Sequence, residues 1–353
     1  MTLITWGWDD RWADRAAQEG IDASAVARVV GQHRASWTIH TDSGPERARI
    51  PSKPGIGPNP VVGDWVLVEP GPMPSDPWSI LAILPRRTKI SRGAAGTGGG
   101  EQVLATNVDR VWIVHGLDMP LNSRRLERYL AVAWESGASP EIVLTKSDLA
   151  ADPEEDAETV RAIAFGAPVR VVSAADGAAV ASLRDSLTPG QTVAFLGPSG
   201  AGKSTLINLL AGVEITQTGE VRAGDRKGRH TTTGRELFPV EGGALLLDTP
   251  GMRELKVLDL EEGLQQAFPE IDDLAARCRF RDCSHSSEPG CAVQSAVTEG
   301  TLASTRLESY RKLQAEAAHE RRRTDPRARA EHVSEWKTSV KTLKYHPKHK
   351  RRY

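Results

Sequence analysis

One stretch of nine residues, 197–205 (GPSGAGKST), constrains the fold of this chain more than any other feature. It follows the apolar run at 192–196 and precedes a helical pattern that begins at Lys203. A glycine-rich turn with Lys-Ser in this strand-to-helix context is typical of a phosphate-binding loop, whose backbone N–H groups point at phosphate oxygens. The sequence therefore predicts an α/β domain that binds a nucleotide through Gly197, Pro198, Ser199, Gly200, Ala201, Gly202, Lys203, Ser204 and Thr205.

Magnesium and the terminal phosphate require further groups. We expect Lys203 to reach the β- and γ-phosphates as a catalytic residue, and the Ser204 hydroxyl to bind magnesium. Asp248 follows the apolar residues 244–247 and opens an Asp-Thr-Pro-Gly sequence that ends at Gly251. An acid at such a strand end can hold magnesium, and the Gly251 N–H can contact the γ-phosphate. Asp-x-x-Gly alone is a common turn, so this assignment depends on the phosphate loop.

Two further strand ends carry residues suited to a guanine base: Thr145, Lys146, Ser147 and Asp148 after one apolar run, and Ser173 and Ala174 after the next. The Asp148 carboxylate can accept hydrogen bonds from the N1–H and amino group of guanine, and adenine offers a mismatched edge. The aliphatic part of Lys146 can lie along the base plane, and a backbone N–H at Ser173 or Ala174 can meet the guanine carbonyl. Together these residues predict a preference for GTP over ATP.

The order of these motifs along the chain is unusual. In ordinary GTPases the phosphate loop comes first, whereas here the residues that contact the base precede it. A binding site needs only spatial adjacency, and the carboxyl ends of parallel strands meet at one edge of a sheet. We therefore expect a circularly permuted chain that builds the same site.

Three segments of different pattern are joined by one glycine-rich stretch. Residues 1–92 contain short alternating runs between Gly- and Pro-rich turns, which predict a small all-β barrel or sandwich. Residues 93–102 predict a flexible linker. Residues 103–265 alternate continuous apolar runs with helical stretches, as in a parallel sheet covered on both faces. Residues 266–353 hold all three cysteines, then a long charged helical stretch and a basic tail.

In these motifs and their order, the chain resembles the circularly permuted GTPases of the ribosome small-subunit-dependent GTPase A (RsgA) family. The resemblance covers nearly the whole chain and implies an N-terminal OB-like barrel, a permuted α/β GTPase domain and a C-terminal, mainly helical zinc-binding domain. It also implies hydrolysis of GTP to GDP, stimulated by the small ribosomal subunit during its late maturation, with contacts to rRNA. The chain departs from the family pattern at Thr145, where Asn is usual. A Thr hydroxyl replaces only part of the Asn hydrogen bonding, so guanine affinity is expected to be lower.

All three cysteines lie between residues 278 and 291. The pattern Cys278-x4-Cys283-x-His285-x5-Cys291 supplies three thiolates and one imidazole, which suits a closed tetrahedral zinc site and matches the family pattern. The alternative is three buried free thiols beside a surface histidine. Four protein ligands leave no open position for water, so we expect one structural zinc ion.

The segment 227–233 (KGRHTTT) lies where the first switch loop of a GTPase belongs. One of its three threonines should bind magnesium when GTP is present, and we favour Thr232. Many GTPases orient the attacking water with a Gln directly after Asp-x-x-Gly, but here Met252 has only a weakly accepting thioether. Low intrinsic turnover follows, and His230 is the candidate catalytic residue that aligns the water. Contact with an rRNA phosphate is the alternative role for His230.

The net charge of −1 is unevenly distributed. Residues 306–353 carry 15 Lys and Arg against 6 Asp and Glu, a net of +9, which suits either an RNA partner or a solvated basic helix. No apolar run approaches transmembrane length, the N-terminus lacks a signal-peptide pattern, and three cysteines do not form a disulfide framework. We expect a cytoplasmic monomer with no membrane contact.

Two other functions are compatible with some of these features. An ABC-type ATPase can carry an almost identical phosphate loop, although no Leu-Ser-Gly-Gly-Gln-like signature follows and no Glu follows Asp248. A zinc-stabilised RNA-binding protein could use GTP only as a structural ligand. Trp6, Trp8 and Trp12 could stack on bases, but we expect them to pack a helix onto the barrel.

Overall fold

The structure is a computed structural model that describes residues 2–33, 36–51, 59–93, 101–214, 235–248 and 261–324, together with 327, 328 and 330. Within these residues, no helix has the length and apolar character needed to cross a membrane.

The N-terminal part is a five-stranded barrel. Its strands are β1 (Val26–Gln32), β2 (Trp37–Thr41), β3 (Gly44–Arg49), β4 (Trp65–Glu69) and β5 (Trp78–Ile83). They neighbour one another in the order β1-β2-β3-β5-β4, and β4 pairs back onto β1, which closes the barrel. Register shifts in β1 and β4 mark bulges that help short strands curve. The predicted all-β barrel is confirmed.

Tryptophans attach the N-terminal segment to this barrel. Helix α1 (Asp10–Gln18) begins after Asp9, whose carboxylate accepts a hydrogen bond from the Trp12 backbone N–H at 3.0 Å. The Trp12 side chain is 1% exposed, and the rings of Trp8 and Trp65 meet edge to face with centroids 4.8 Å apart. These tryptophans therefore pack the N-terminal segment onto the barrel, as expected.

A hairpin connects the barrel to the next domain. Strands β6 (Lys89–Gly93) and β7 (Glu101–Thr106) pair antiparallel with Arg92 opposite Gln102. Both ends of the predicted linker 93–102 therefore lie in paired strands, and residues 94–100 lie outside the described residues.

The central domain is built on a mostly parallel sheet. Its strands are β8 (Arg110–Gly116), β9 (Ser139–Thr145), β10 (Val169–Val171), β11 (Thr192–Leu196), β12 (Arg235–Pro239) and β13 (Leu245–Asp248). The spatial order is β10-β9-β8-β11-β13-β12, with the first five strands parallel and β12 antiparallel to β13. Strand β12 also pairs with β1 of the barrel, so one continuous sheet of 11 strands runs through both domains.

Helices cover both faces of the central sheet: α2 (Ser123–Glu135), α3 (Pro153–Ala164), α4 (Gly177–Asp185) and α5 (Lys203–Ala211). Neighbouring residues of β8 face different cores, because successive side chains of a strand alternate. Ile113 packs with Leu126 of α2, whereas Trp112 packs in the cluster that contains Leu206 of α5. Burial on both faces explains why these strands read as unbroken apolar runs.

The C-terminal part is helical and packs on α2. Its helices are α6 (Glu261–Ala267), α7 (Pro269–Ala275), α8 (Ala292–Thr298) and α9 (Ser304–Thr324). Helix α6 approaches α2 so closely that a Cβ at Gly263 would lie 2.1 Å from the Ala131 carbonyl oxygen. Only glycine permits this contact, which brings the two backbones together.

Arg306 of α9 joins three helices in the same region. Its guanidinium forms ion pairs of 2.7 Å with Glu127 of α2 and with Glu270 of α7. It also lies over the rings of Phe165 and Phe268, at 4.3 and 4.0 Å from their centroids. Arg306 and Glu127 are almost fully buried, so this charge cluster is part of the interface between the C-terminal helices and the central domain.

Candidate functional site

The phosphate loop has the backbone shape that its glycines predict. Strand β11 ends at Leu196, and Gly197, Gly200 and Gly202 have φ values of 145°, 79° and 89°, all in the region that favours glycine. A Cβ on Gly197 would lie 2.2 Å from the Val114 carbonyl oxygen of β8. The loop therefore starts against the neighbouring strand and leads into the N-terminus of α5 at Lys203.

Lys203 lies over this loop. Its Nζ donates hydrogen bonds to the carbonyl oxygens of Gly197 and Pro198 at 2.7 and 2.6 Å. Ser204 and Thr205 follow in the first turn of α5, where helix N–H groups and the helix dipole favour an anion. The ammonium group is thus placed where phosphate oxygens can become its partners.

Thr145 connects the guanine-type motif to the phosphate loop. It ends β9, and its hydroxyl donates to the Ala201 carbonyl oxygen at 2.6 Å. The residue is 6% exposed, and a Cβ on Gly202 would meet its Oγ1 at 3.2 Å. A hydroxyl has one hydrogen to donate, and the shorter contact directs that of Thr145 to the loop.

Asp148 is positioned by the next strand end. The Ser173 hydroxyl, just beyond β10, donates to Asp148 Oδ1 at 2.5 Å, while the Ser147 N–H donates to the Val172 carbonyl at 3.3 Å. Ala174 follows and is exposed. The carboxylate is therefore held at the carboxyl edge of the sheet, on the same side as the phosphate loop.

Lys146 adopts a backbone conformation that side chains rarely take. Its φ is 59°, and its Nζ forms an ion pair of 2.7 Å with Asp118, which follows β8. This contact and the Ser173 hydroxyl were not predicted from the sequence. The signal for Asp118 was an acid two residues after the end of an apolar strand, a pattern too common to single out alone.

Asp248 ends β13, which runs parallel to β11 on the side opposite β8. This places its backbone at the same sheet edge as the phosphate loop. Its side chain, Gly251, Met252, His230 and the threonines 231–233 lie outside the described residues. The predicted roles of these residues stay predictions.

The Cys/His cluster comes together in space. The ligating atoms of Cys278, Cys283, His285 and Cys291 all lie within 4.8 Å of one another. Cys278 Sγ and Cys291 Sγ are each 3.6 Å from His285 Nδ1 and 3.9 Å from each other. Tetrahedral zinc with ordinary Zn–S and Zn–N bond lengths gives edges of about 3.8 Å between sulfurs and about 3.6 Å between sulfur and nitrogen. The cluster is consistent with a zinc site.

Two features of the cluster's surroundings affect its metal ligands: the backbone at His285 and the environment of the Cys283 thiol. His285 has a φ of 58°, and its carbonyl oxygen accepts a hydrogen bond of 2.5 Å from Gln294 Nε2. In the absence of a metal ion, loss of solvation, together with the neighbouring thiols of Cys291 and Cys278, raises the pKa of the Cys283 thiol to about 11. A bound cation would reverse this shift, because zinc stabilises the thiolate form of its ligands.

Relatives of known type match this chain over most of its length. A family profile described as RsgA GTPase matches residues 83–258. The small ribosomal subunit biogenesis GTPase RsgA of Opitutus terrae is 47% identical over 351 residues, which cover 96% of this chain and 95% of that relative.

Solved structures show the same architecture. The crystal structure of YjeQ from Thermotoga maritima has a TM-score of 0.59 at 27% identity and covers 83% of this chain and 98% of that one. YloQ, described as a circularly permuted GTPase, has the same TM-score at 24% identity and covers 83% of this chain and 94% of that one. The permuted strand order and the extent of these matches lead to one conclusion: this chain belongs to the RsgA family of circularly permuted GTPases.

Proposed function

We propose that this chain hydrolyses GTP to GDP in the biogenesis of the small ribosomal subunit. The hydrogen bond between Thr145 and Ala201 is the observation that carries the proposal, because it joins the guanine-type motif to the phosphate loop across 56 residues of chain. The relative from Opitutus terrae, named for small-subunit biogenesis, supports the biological role through a match that includes the barrel and the C-terminal helices.

Guanine selection is assigned to the carboxyl edge of β9 and β10. The Asp148 carboxylate accepts the N1–H and amino group of the base, and the Ser173 hydroxyl holds that carboxylate in place. Lys146 lies beside the base through its aliphatic stem while Asp118 fixes its ammonium group. Ser147 and the backbone at Ala174 complete the base pocket in this proposal.

The phosphates are assigned to the loop at 197–205 and to Gly251, with magnesium bound by Ser204, Thr232 and Asp248. Magnesium, when bound with the nucleotide, neutralises charge that develops on the transferring phosphoryl group. Lys203 binds the β- and γ-phosphates, and His230 aligns the attacking water in place of the usual Gln.

The Cys/His cluster is assigned one structural zinc ion. Three thiolates and one imidazole fill a tetrahedral shell and leave no position for a substrate. Cys291 Sγ also accepts a hydrogen bond from the Gln294 N–H at 3.4 Å in the first turn of α8, so the metal would anchor the start of this helix.

The proposed partners are GTP, GDP and the small ribosomal subunit with its rRNA. The net charge of +9 on residues 306–353 supports contact with RNA, since clustered Lys and Arg attract phosphates. We propose that the protein works in the cytoplasm as a monomer and contacts no membrane.

Turnover of GTP with and without purified small ribosomal subunits tests the proposal. We expect slow release of phosphate from GTP alone and a large increase with subunits, with no inhibition by excess ATP. Competition by ATP equal to that by GTP would favour the ABC-type alternative. GTP binding without turnover in either condition would favour a structural role for the nucleotide. Either of the last two results would contradict the proposal.

A further inference from the structure

A cavity of about 380 Å³ lies between three parts of the molecule. The N-terminal segment contributes Trp8, the barrel contributes Arg28, and the central domain contributes the loop 188–191 that precedes β11. Gly7 and Gly190 lie in close backbone contact beside it, because a Cβ on Gly7 would lie 2.6 Å from the Gly190 carbonyl oxygen. The volume is in the range of sites for small molecules.

This cavity is separate from the nucleotide site. Gln191, which lines it, stands directly before β11, whereas the phosphate loop follows the other end of the same strand at Leu196. The cavity therefore lies at the amino edge of the sheet, and a ligand there cannot be part of the GTP site.

Arg28 is a buried cation that forms no ion pair with the described residues, and its guanidinium lies 4.8 Å from the centroid of the Trp65 ring. It is 2% exposed, and its Nη2 donates two hydrogen bonds of 3.3 Å, to the Asn107 carbonyl and to the Thr192 hydroxyl. Its Nε has no partner among the described residues, and no described carboxylate lies within 4.0 Å of it. Burial lowers the pKa of Arg28 to about 10, although the charges of Asp109 and Asp64 act in the opposite direction, and the group stays charged at neutral pH. A buried charge of this kind is costly unless an anion compensates it.

Two acids also line the cavity, and each accepts a backbone hydrogen bond. Asp9 accepts the Trp12 backbone N–H at 3.0 Å, and Asp109 accepts the Thr192 backbone N–H at 2.8 Å. Arg87 adds a second cation, stacked at 5.6 Å over the Trp12 ring. The lining thus combines three guanidinium groups, those of Arg11, Arg28 and Arg87, with two carboxylates and apolar surface, which leaves an excess of positive charge.

We propose that this cavity binds a small organic anion, in which a carboxylate or phosphate group meets Arg28 and Arg87 and a small apolar body packs against Trp8. A guanidinium offers paired donors that match the two oxygens of either anionic group. Trp8 is half-buried at the cavity wall, with its ring against Trp65, and gives the apolar body a fixed surface.

Calorimetric titration of the full-length protein saturated with GDP and magnesium tests this site, because the nucleotide then occupies the phosphate loop. The probes are benzoate, acetate and inorganic phosphate. We expect benzoate to bind more tightly than acetate. Comparison of the Kd values of phosphate and acetate shows which anionic group the site prefers. Arg28→Gln and Arg87→Gln should each weaken binding of the tightest probe about tenfold or more, as for a lost hydrogen bond between charged groups.

Two further variants separate binding from folding. Trp8→Ala should remove the advantage of benzoate over acetate while acetate affinity stays unchanged. Arg124→Gln is the matched control, since Arg124 forms an exposed ion pair with Glu308 on α9, outside this cavity. If Arg28→Gln fails to fold, Arg87→Gln and Trp8→Ala still decide the question. Absence of binding by all three probes, or binding that Arg87→Gln and Trp8→Ala leave unchanged, would overturn the proposal.

Discussion

At the scale of single residues, the Thr145 hydroxyl connects the end of β9 to the phosphate loop. Where the family usually has Asn, this chain directs its side-chain hydrogen to the phosphate loop through Ala201. The amide function that an Asn could add is lost, but a hydrogen bond joins the guanine-type motif to the phosphate loop. In the proposed site, the shape of the loop and the recognition of the base are therefore assigned to different residues.

Thr145→Ala should weaken GDP binding about fivefold. The variant leaves the buried Ala201 carbonyl without its 2.6 Å partner, and a lost neutral hydrogen bond costs about 1 kcal/mol. Fluorescence titration with a labelled GDP measures the change. Thr145→Ser is the matched control and should bind like the parent because it keeps the hydroxyl. Equal losses in both variants would show that the methyl group, not the hydrogen bond, matters.

Asp148→Asn should shift preference from guanine towards xanthine nucleotides. The substitution replaces a pure acceptor by an amide that also donates, which mismatches the N1–H and amino group of guanine but suits the carbonyl of xanthine. The ratio of Kd values for GDP and XDP reports the shift, and exposed Asp185→Asn is the control. A parental ratio in Asp148→Asn would refute the assignment.

At the scale of helices and strands, the local sequence pattern predicted the elements themselves better than it predicted the long-range contacts between them. The apolar runs and the glycine-rich loop located β8, β9, β11 and α5, because burial on both faces and a helix start leave clear local signals. The ion-pair partners of Lys146 and Arg306 left no local signal in the sequence, since Asp118 and Glu127 are 28 and 179 residues away along the chain. Such pairs depend on packing, which periodicity does not encode.

Arg306→Ala should destabilise the protein by about 3 kcal/mol. The variant leaves Glu127 as a buried, unpaired carboxylate, and breaking one partner of a buried ion pair is far costlier than breaking an exposed one. Urea unfolding measures the effect. Arg124→Ala removes the exposed pair with Glu308 and should cost no more than about 1 kcal/mol. Similar losses in the two variants would contradict a stabilising role for the buried ion pair between Arg306 and Glu127.

Cys283→Ser should remove zinc without abolishing nucleotide binding. A structural site with three remaining donors holds zinc weakly, so metal content should fall well below one ion per molecule. The phosphate loop lies on β11 and α5, outside the cluster, and GDP affinity should change by less than about twofold. Elemental analysis and hydrogen exchange at α8 follow the loss, with exposed Ser287→Ala as control. Full zinc content in Cys283→Ser would exclude this cysteine as a ligand.

At the scale of the whole molecule, one sheet links the barrel to the central domain, and α9 links the C-terminal helices to α2. The base motif and the phosphate loop lie at one edge of that sheet, and both flanking domains are fastened to its framework. The flanking domains are therefore connected to the candidate nucleotide site through paired strands and packed helices. We expect residues 227–233, which include His230, to respond to a partner that contacts these domains.

His230→Ala should lower the kcat stimulated by small ribosomal subunits about tenfold or more, with GTP affinity nearly unchanged. Met252 cannot orient water through a donor–acceptor pair, so another group has to supply that function. A neutral imidazole can accept a proton from water or align the water. Positioned groups that transfer protons typically increase the rate about a hundredfold to ten-thousandfold. Phosphate release at saturating GTP and subunits measures kcat directly.

Lys227→Ala separates catalysis from docking, because Lys227 lies in the same segment and has a charge that suits rRNA phosphates. Loss of docking raises the subunit concentration needed for half-maximal turnover but leaves kcat at saturation intact. Loss of water alignment lowers kcat at saturation but leaves the subunit concentration needed for half-maximal turnover unchanged. We therefore expect His230→Ala to reduce the rate of turnover at every subunit concentration, including saturation. The lower rate of Lys227→Ala should return to the parental value when more subunits are added. Recovery of parental kcat by His230→Ala at saturating subunits would reassign this residue to RNA contact alone.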